Sequence, residues 1–177
     1  MTDAPATTTA TGTVVFTDLV GFTQFNDAMG DGEAVAVLDQ QLTFAAAAVE
    51  RCGRVVKELG DGLMWWVPDP AEAIDAALEF LALVDEARWI GRFPLSVRAG
   101  LHHGDVVPRG DDLIGHTVNV AARIADLAGP GELLASEMAL AAADRSEGFV
   151  PVGPATVKGV AAPIWLHRAA SSADQRP

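Results

Sequence analysis

The chain has 177 residues, half of them hydrophobic, and a formal net charge of −12 from 24 acidic and 12 basic side chains. This length and composition suit one compact domain with a sizeable core, while the acidic balance argues against nucleic acid and anionic membrane surfaces as partners. A single cysteine, Cys52, excludes an internal disulfide, and the sequence has neither an export signal nor a membrane-spanning apolar run, so we expect a cytoplasmic protein that is neither exported nor anchored.

The predicted elements form one folded domain over 13–169, between flexible tails over 1–12 and 170–177. Periodicity and turn residues predict the order β-α-α-β-β-α-β-α-β-α-β-β, which indicates an α+β fold with a mostly antiparallel sheet and helices on one face. Residues 104–112 are expected to form a short irregular connection. In chain order the elements are a strand over 13–17, a helix ending at 29, a helix over 31–52, strands over 54–59 and 63–67, a helix between 70 and 86, a strand over 95–103, a helix over 117–127, a strand over 133–135, a helix over 137–143, and strands over 149–152 and 164–167.

Two acidic residues stand apart from the solvated helix faces. Asp18 follows the first predicted strand, and Asp61 lies in the Gly60-Asp61-Gly62 turn of a predicted hairpin. Two carboxylates that converge from a strand end and a hairpin tip would suit Mg²⁺ together with a phosphate ligand. The alternative is structural: Asp18 would cap a helix and Asp61 would only form the turn.

A second pair of polar residues lies on one face of a predicted helix. Asn119 and Arg123 are four residues apart, and they combine a neutral hydrogen-bonding group with a permanent planar cation, which suits an anionic oxygen. The alternative is an exposed asparagine and a surface arginine paired with Asp126. His102 and His103 are neighbours on a predicted strand and point to opposite faces, so they do not indicate a shared metal site.

The only lysines, Lys57 and Lys158, mark positions where an arginine-rich chain retains a compact donor.

Five segments resemble the class III nucleotidyl cyclase catalytic domain, in the order and spacing of that family from about residue 13 to residue 167. They are VFTDLVGFT (15–23), VKELGDG (56–62), RAGLHHGDV (98–106), DLIGHTVNVAAR (112–123) and VKG (157–159).

The resemblance implies a ferredoxin-like core and a head-to-tail homodimer with two composite sites at its interface. By position, Asp18 and Asp61 match the aspartates that bind two divalent metal ions, Mg²⁺ or Mn²⁺, and the carbonyl of Leu19 matches a backbone ligand. The segment Gly21-Phe22-Thr23 matches the loop whose N–H groups bind the triphosphate, in line with the anion affinity of helix N-termini.

The partner protomer would supply the rest of each site. Lys57 and Asp112 match the pair that selects the base, Asn119 and Arg123 match the transition-state pair, and Lys158 matches a lysine near the terminal phosphates. An ammonium can donate to adenine N1 and a carboxylate can accept from the 6-amino group, so ATP is favoured over GTP.

The implied activity is that of an adenylate cyclase acting in signal transduction. The ribose 3′-oxygen would attack the α-phosphorus of ATP and release pyrophosphate, giving 3′,5′-cyclic AMP. The 104–112 segment is short for the family's dimerisation arm, and Arg109 within it is a candidate phosphate contact. Two alternatives remain, namely a guanylate cyclase and a non-catalytic module that binds nucleotide or a second chain.

Overall fold

The computed structural model describes residues 8–156, 160 and 162–170. Of the predicted tails, 1–7 and 171–177 lie outside the described residues, as does Lys158. Among the residues described, no helix combines the length and apolar character needed to cross a bilayer. In chain order the elements are β1 (Ala10–Val20), α1 (Phe22–Met29), α2 (Asp31–Val49), β2 (Arg54–Leu59), β3 (Gly62–Val67), α3 (Pro70–Trp89), β4 (Ser96–Arg109), β5 (Asp112–Ile114), α4 (His116–Leu127), β6 (Leu133–Ser136), α5 (Glu137–Ala142), β7 (Phe149–Ala155) and β8 (Ile164–Ala169).

The strands form one sheet in the order β2-β3-β1-β4-β6-β8-β7, and β5 pairs with β4 outside that path. The pairing is antiparallel throughout except between β4 and β6. This confirms the predicted α+β class and the mostly antiparallel sheet. The predicted order of elements is also recovered, with β5 as an addition.

Helices cover both faces of the sheet, so the prediction that they share one face is wrong. Neighbouring residues of a strand point to opposite faces. In β1, Val15 packs in the cluster that contains α2 and α3 residues, whereas Val14 packs in the cluster that contains Ala121 of α4. We call these two sides the α2–α3 face and the α4 face. The adjacent, fully buried Val14 and Val15 are typical of a strand covered on both sides.

Gly100 of β4 explains how α4 approaches the sheet so closely. A Cβ atom at this position would collide with the backbone of Ala125 in α4, so the helix and strand backbones are in direct contact here. Larger side chains separate the layers on the other face. There the rings of Trp65 and Phe80 meet edge to face, with their centroids 4.9 Å apart.

Residues 104–112 form a β-hairpin with β5, which corrects the predicted irregular connection. β4 continues to Arg109, and Arg109 pairs with Asp112 across a turn in which Gly110 has a φ of 61°. Pro108 and the turn residues concealed this strand from sequence analysis, since proline is depleted from strand interiors. β1 is likewise longer than predicted, because Ala10 already pairs with Val106.

Candidate active site

Asp18 and Asp61 are brought together by the pairing of β1 with β3. Asp18 lies opposite Gly62, the residue after Asp61, and the backbone N–H of Leu19 donates to the carbonyl oxygen of Asp61 at 3.3 Å. Burial, and secondly the negative charge of Asp18, raise the pKa of the Asp61 carboxyl above its ordinary value. Asp61 lies in the β2–β3 turn as predicted. Asp18 does not cap α1, since Gly21 is the N-cap residue of that helix.

Arg98 is a residue of this site to which sequence analysis assigned no role. It lies opposite Asp18 in the β1–β4 register, and its Nε and Nη2 atoms donate to Asp18 Oδ2 at 2.9 and 2.6 Å. Its Nη1 donates to the backbone carbonyl of Asp126 at 2.9 Å. Cross-strand register is the signal that identifies Arg98, and register is not visible in the sequence of one strand.

The two carboxylates fit a hard divalent cation. The pKa of Asp61 is raised first by burial and secondly by the negative charge of Asp18, and a bound dication would relieve the repulsion between the two carboxylates. Gly62 permits the close approach, because a Cβ there would lie 2.9 Å from the Thr17 carbonyl oxygen. Within the described residues no group of three or more His, Cys, Asp or Glu side chains could hold a metal. Mg²⁺ commonly takes one or two carboxylates and completes its shell with water and substrate phosphate.

The predicted triphosphate loop lies beside these carboxylates. Gly21 has a φ of 81°, and α1 begins at Phe22 with no side-chain hydrogen bond to its first N–H groups. A cavity of about 280 Å³ is lined in part by Asp18, Gly21 and Arg98. An uncapped helix start next to an arginine is suited to an anionic group.

Lys57 and Asp112, the pair predicted to select the base, form an ion pair with each other. Lys57 Nζ lies 2.8 Å from Asp112 Oδ2, and the Leu113 N–H donates to Asp112 Oδ1 at 2.7 Å. The hydrogen bond from Lys57 is the main reason that the pKa of Asp112 lies below its ordinary value. A β-bulge between Val55 and Lys57 places Lys57 opposite Met64, on the α4 face.

Asn119 and Arg123 are exposed on α4. Arg123 Nη1 donates to Asp126 Oδ2 at 3.1 Å, which is the contact that the structural alternative anticipated. In the described part of the chain, no hydrogen bond or ion pair joins Asn119 or Arg123 directly to Asp18 or Asp61. The candidate residues of one protomer therefore form three groups: the carboxylates with the α1 loop, the Lys57–Asp112 pair, and the α4 pair. Arg109 is exposed at the β4–β5 turn.

The two neighbouring histidines each have a partner within the fold. His102 is buried, with its Nδ1 2.8 Å from Ser136 Oγ, and burial is the main reason that its pKa is lowered to about 4. His103 Nδ1 lies 2.9 Å from Thr13 Oγ1.

Comparison with known proteins identifies the family. The profile of the adenylate and guanylate cyclase catalytic domain matches residues 5–168. A protein from Mycobacterium tuberculosis named as a pH-sensitive adenylate cyclase is 33% identical over 161 residues, which is 88% of this chain and 40% of that protein. An adenylate cyclase from Streptomyces coelicolor is 34% identical over 116 residues, which is 65% of this chain and 29% of that protein. The chain thus spans two fifths or less of these relatives' length.

Solved structures share the fold. The adenylyl cyclase CyaB from P. aeruginosa aligns with a TM-score of 0.79 at 22% identity, covering 93% of this chain and 96% of that one. The catalytic core of a rhodopsin-guanylyl cyclase with converted specificity, in complex with ATPαS, aligns with a TM-score of 0.80 at 24% identity, covering 93% and 97%. Together with the profile match over nearly the whole sequence, these likenesses lead to one conclusion: the chain belongs to the family of adenylate and guanylate cyclase catalytic domains.

Proposed function

We propose that the chain is an adenylate cyclase domain, which converts ATP to 3′,5′-cyclic AMP and pyrophosphate at two composite sites of a homodimer. The observation that carries this proposal is that Asp18 and Asp61 lie close enough for their charges to interact, with Asp18 beside the uncapped start of α1. These residues can bind a metal-bound polyphosphate. The relatives named as adenylate cyclases support the same activity. A cytoplasmic setting is part of the proposal, since it suits the single cysteine and a nucleotide substrate.

Asp18, Asp61 and the carbonyl of Leu19 would hold two divalent ions, Mg²⁺ or Mn²⁺, which when bound favour ionisation of the ribose 3′-hydroxyl and neutralise phosphate charge. The first N–H groups of α1, at Phe22 and Thr23, would bind the triphosphate. These groups orient the α-phosphorus so that the 3′-oxygen lies opposite the leaving pyrophosphate. The bond from the 3′-oxygen to phosphorus forms, the bond to pyrophosphate breaks, and the 3′-hydroxyl proton passes to solvent.

Base selection is assigned to the Lys57–Asp112 pair. The side chains of both residues are about one-third exposed, at 34% and 40%, so their polar atoms can reach a base. Lys57 donates to adenine N1, and Asp112 accepts from the 6-amino group, whereas guanine presents the opposite pattern at these edges. The second candidate within the family, a guanylate cyclase, is disfavoured by the same pair.

Asn119 and Arg123 are assigned to the site of the partner protomer. They are exposed on α4 and have no direct contact with Asp18 or Asp61 of their own chain within the described residues. Asn119 would orient the ribose, and Arg123 would neutralise charge that develops on the α-phosphate. Lys158, which lies outside the described residues, keeps its predicted role at the terminal phosphates.

One observation favours a non-catalytic module instead. Asp18 and Arg123 already have ion-pair partners in their own chain, Arg98 and Asp126, so both side chains are satisfied without substrate. Such a module would bind nucleotide or a second chain without turnover.

Turnover by the purified chain decides between these functions. The chain is incubated with ATP or GTP and Mg²⁺ or Mn²⁺ over a protein concentration series, and cyclic nucleotides are separated by chromatography. We expect cyclic AMP, a specific activity that rises as dimers form, and no activity for Asp61→Ala. No cyclic product despite nucleotide binding and a measured dimer would establish the module. Comparable turnover of GTP would overturn the assignment of Lys57 and Asp112.

Complementation tests the composite site. An equal mixture of Asp61→Ala and Asn119→Ala chains yields heterodimers in which one site carries both changes and the other carries neither. Random exchange of subunits makes half of the dimers mixed, each with one intact site of two, so about a quarter of the native activity should return. If the mixture stays as inactive as its components, each site is built by a single chain.

A further inference from the structure

A chain of four charged side chains connects the candidate metal site to α4 within one protomer. It runs from Asp18 in β1 through Arg98 in β4 and Asp126 in α4 to Arg123, one helical turn earlier. The closest distances between side-chain nitrogen and carboxylate oxygen atoms along it are 2.6 Å for Arg98 with Asp18, 3.9 Å for Arg98 with Asp126, and 3.1 Å for Arg123 with Asp126. Neither Arg98 nor Asp126 has a role in the proposed reaction so far.

Asp126 is the junction of this chain, because it contacts both arginines with different atoms. Its Oδ2 accepts from Arg123, its Oδ1 faces Arg98 Nη2, and its backbone carbonyl accepts from Arg98 Nη1 at 2.9 Å. That carbonyl belongs to the last turn of α4, where carbonyl groups lack intrahelical donors and a cation is favoured. Arg98 therefore attaches the end of α4 to the strand that carries Asp18.

The two ends of the chain serve different sites if the proposed function holds, and the inference rests on that function. Asp18 contributes to the metal half of one composite site, while Arg123 of the same protomer contributes to the other site. We propose that Asp126 is a positioning residue for both sites: it orients Arg123 for one of them and balances the charge of Arg98 beside Asp18 for the other.

The expected effect of removing the Asp126 carboxylate differs between the two halves. In the metal half, Arg98 loses a neighbouring negative charge, so the surroundings of Asp18 become more positive and a dication binds more weakly. In the arginine half, Arg123 loses the partner that orients it, so turnover at saturating metal falls. Exposed ion pairs contribute modestly, so each effect should be about two- to fivefold.

Single-site heterodimers separate these effects. The Asp61→Ala chain supplies Asn119 and Arg123 to the intact site, and the Asn119→Ala chain supplies Asp18 and Asp61. Asp126→Asn in the Asp61→Ala chain should lower kcat about two- to fivefold and leave the Mn²⁺ concentration for half-maximal activity unchanged. The same change in the Asn119→Ala chain should raise that Mn²⁺ concentration about two- to fivefold and leave kcat unchanged.

The control variant is Asp85→Asn. Asp85 pairs with Arg88 in α3 at the same i,i+3 spacing and the same 3.1 Å distance as the Asp126–Arg123 pair, but it lies outside the charge chain. Placed in either chain, Asp85→Asn should change neither parameter. Equal behaviour of Asp126→Asn and Asp85→Asn overturns the proposal, and so does an effect of Asp126→Asn confined to one of the two chains.

Mn²⁺ binding without nucleotide gives a readout that does not depend on turnover. Calorimetric titration of the homodimer should show binding about two- to fivefold weaker for Asp126→Asn than for the native chain or Asp85→Asn, and none for Asp61→Ala. If the native dimer makes no cyclic nucleotide, the proposed function fails, but this titration still decides whether Asp126 acts on the metal half. Unchanged Mn²⁺ affinity in Asp126→Asn contradicts that action whatever the turnover.

Discussion

The two faces of the sheet have different compositions. The α2–α3 face is covered by two long helices and holds the largest apolar cluster, including the fully buried Trp65 and Phe80. The α4 face is covered over a smaller area, by α4 with the small clusters around Met64 and Ile124. Most of the apolar burial, and hence most of the hydrophobic stabilisation, belongs to the α2–α3 face.

The candidate site residues belong to the other side. Asp18 is an even number of residues from Val14 in β1, so both side chains point to the α4 face. Arg98 lies directly opposite Asp18, and Lys57 lies opposite Met64, so these two side chains point to the same face. Asn119 and Arg123 belong to α4 itself. The sheet thus separates most of the apolar burial from the candidate site residues, which are polar and lie on the face that, in the described part of the chain, α4 covers.

The largest effect is expected from Arg123→Ala on the α4 face. Loss of a cation that stabilises a phosphoryl transition state should lower kcat by roughly 10³- to 10⁵-fold. The free energy of unfolding should change by less than about 0.5 kcal/mol, because the side chain is exposed and makes one surface ion pair. Single-turnover kinetics and urea denaturation measure the two quantities. A loss of stability comparable to the loss of activity would contradict the separation of the two faces.

Phe80→Ala should have the opposite profile on the α2–α3 face. Removing a fully buried ring that packs edge to face on Trp65 should destabilise the fold by about 3–5 kcal/mol. Phe80→Leu retains most of the volume and serves as the matched control, with a smaller loss. At low temperature, where the variant is still folded, Mn²⁺ affinity should equal that of the native chain. Altered affinity in the folded variant would show that the core face sets the site geometry.

The pH dependence of stability sharpens the comparison, because His102 is a buried titratable group on the α4 face. Its pKa in the folded protein is about 4, below the ordinary histidine value of 6.5, mainly because the ring is buried. In the unfolded chain this histidine is protonated near pH 6.5, whereas in the folded chain it is protonated only near pH 4. The free energy of unfolding therefore decreases as the pH falls from 6.5 to 4, by roughly 3 kcal/mol in total. His102→Asn should remove this component of the slope, whereas the exposed His116→Asn should remove only the smaller part that the charge of His116 contributes. Denaturation curves from pH 7.5 to 4 compare the slopes; equal slopes in His102→Asn and native protein would refute the assignment.

Of the four changes compared across the two faces, the smallest effect is expected for the paired change Lys57→Glu and Asp112→Cys. It removes both groups matched to adenine, so kcat/KM for ATP should fall by about 10- to 100-fold, while Mn²⁺ binding at Asp18 and Asp61 is retained. Competition between ATP and GTP measures the specificity ratio. A retained preference for ATP would place base selection in other residues of the α4 face.

The sequence predicted the parts of this molecule that depend on local pattern. Turn residues and periodicity predict the hairpin turn at Asp61, the mostly antiparallel sheet and the residue range of α4. The five motifs identified the family. The prediction that α4 lies on the same face of the sheet as the other helices was wrong. Periodicity shows that a helix has an apolar side, but it does not show which face of the sheet that side packs against. Gly100 allows α4 to pack closely on β4, but this role could not be predicted from the sequence because it depends on the contact with Ala125.

Contacts between distant segments were also missed. Arg98 belongs to one of the five motifs, yet its pairing with Asp18 depends on the register between β1 and β4, which no single segment specifies. The Arg123–Asp126 pair was anticipated from i,i+3 spacing, whereas the contact of Asp126 with Arg98 required the tertiary structure. Turn residues led to a correct prediction of the β2–β3 hairpin. In the β4–β5 segment, turn residues led instead to the prediction of an irregular connection.

The bulge in β2 has a consequence for how this strand tolerates insertions and deletions. Val55 pairs with Trp65 and Lys57 with Met64, so two residues of β2 advance while β3 advances by one. A regular strand would give Lys57 the same side as Val55, which packs in the core of the α2–α3 face. Deleting Val56 would therefore remove the bulge and yet keep Lys57 opposite Met64 on the α4 face, because Val55 and Lys57 would become direct neighbours with opposite orientations. β2 therefore tolerates the loss of a residue at position 56 without moving Lys57 to the other face, whereas closing the bulge at full length would place the lysine in the hydrophobic core.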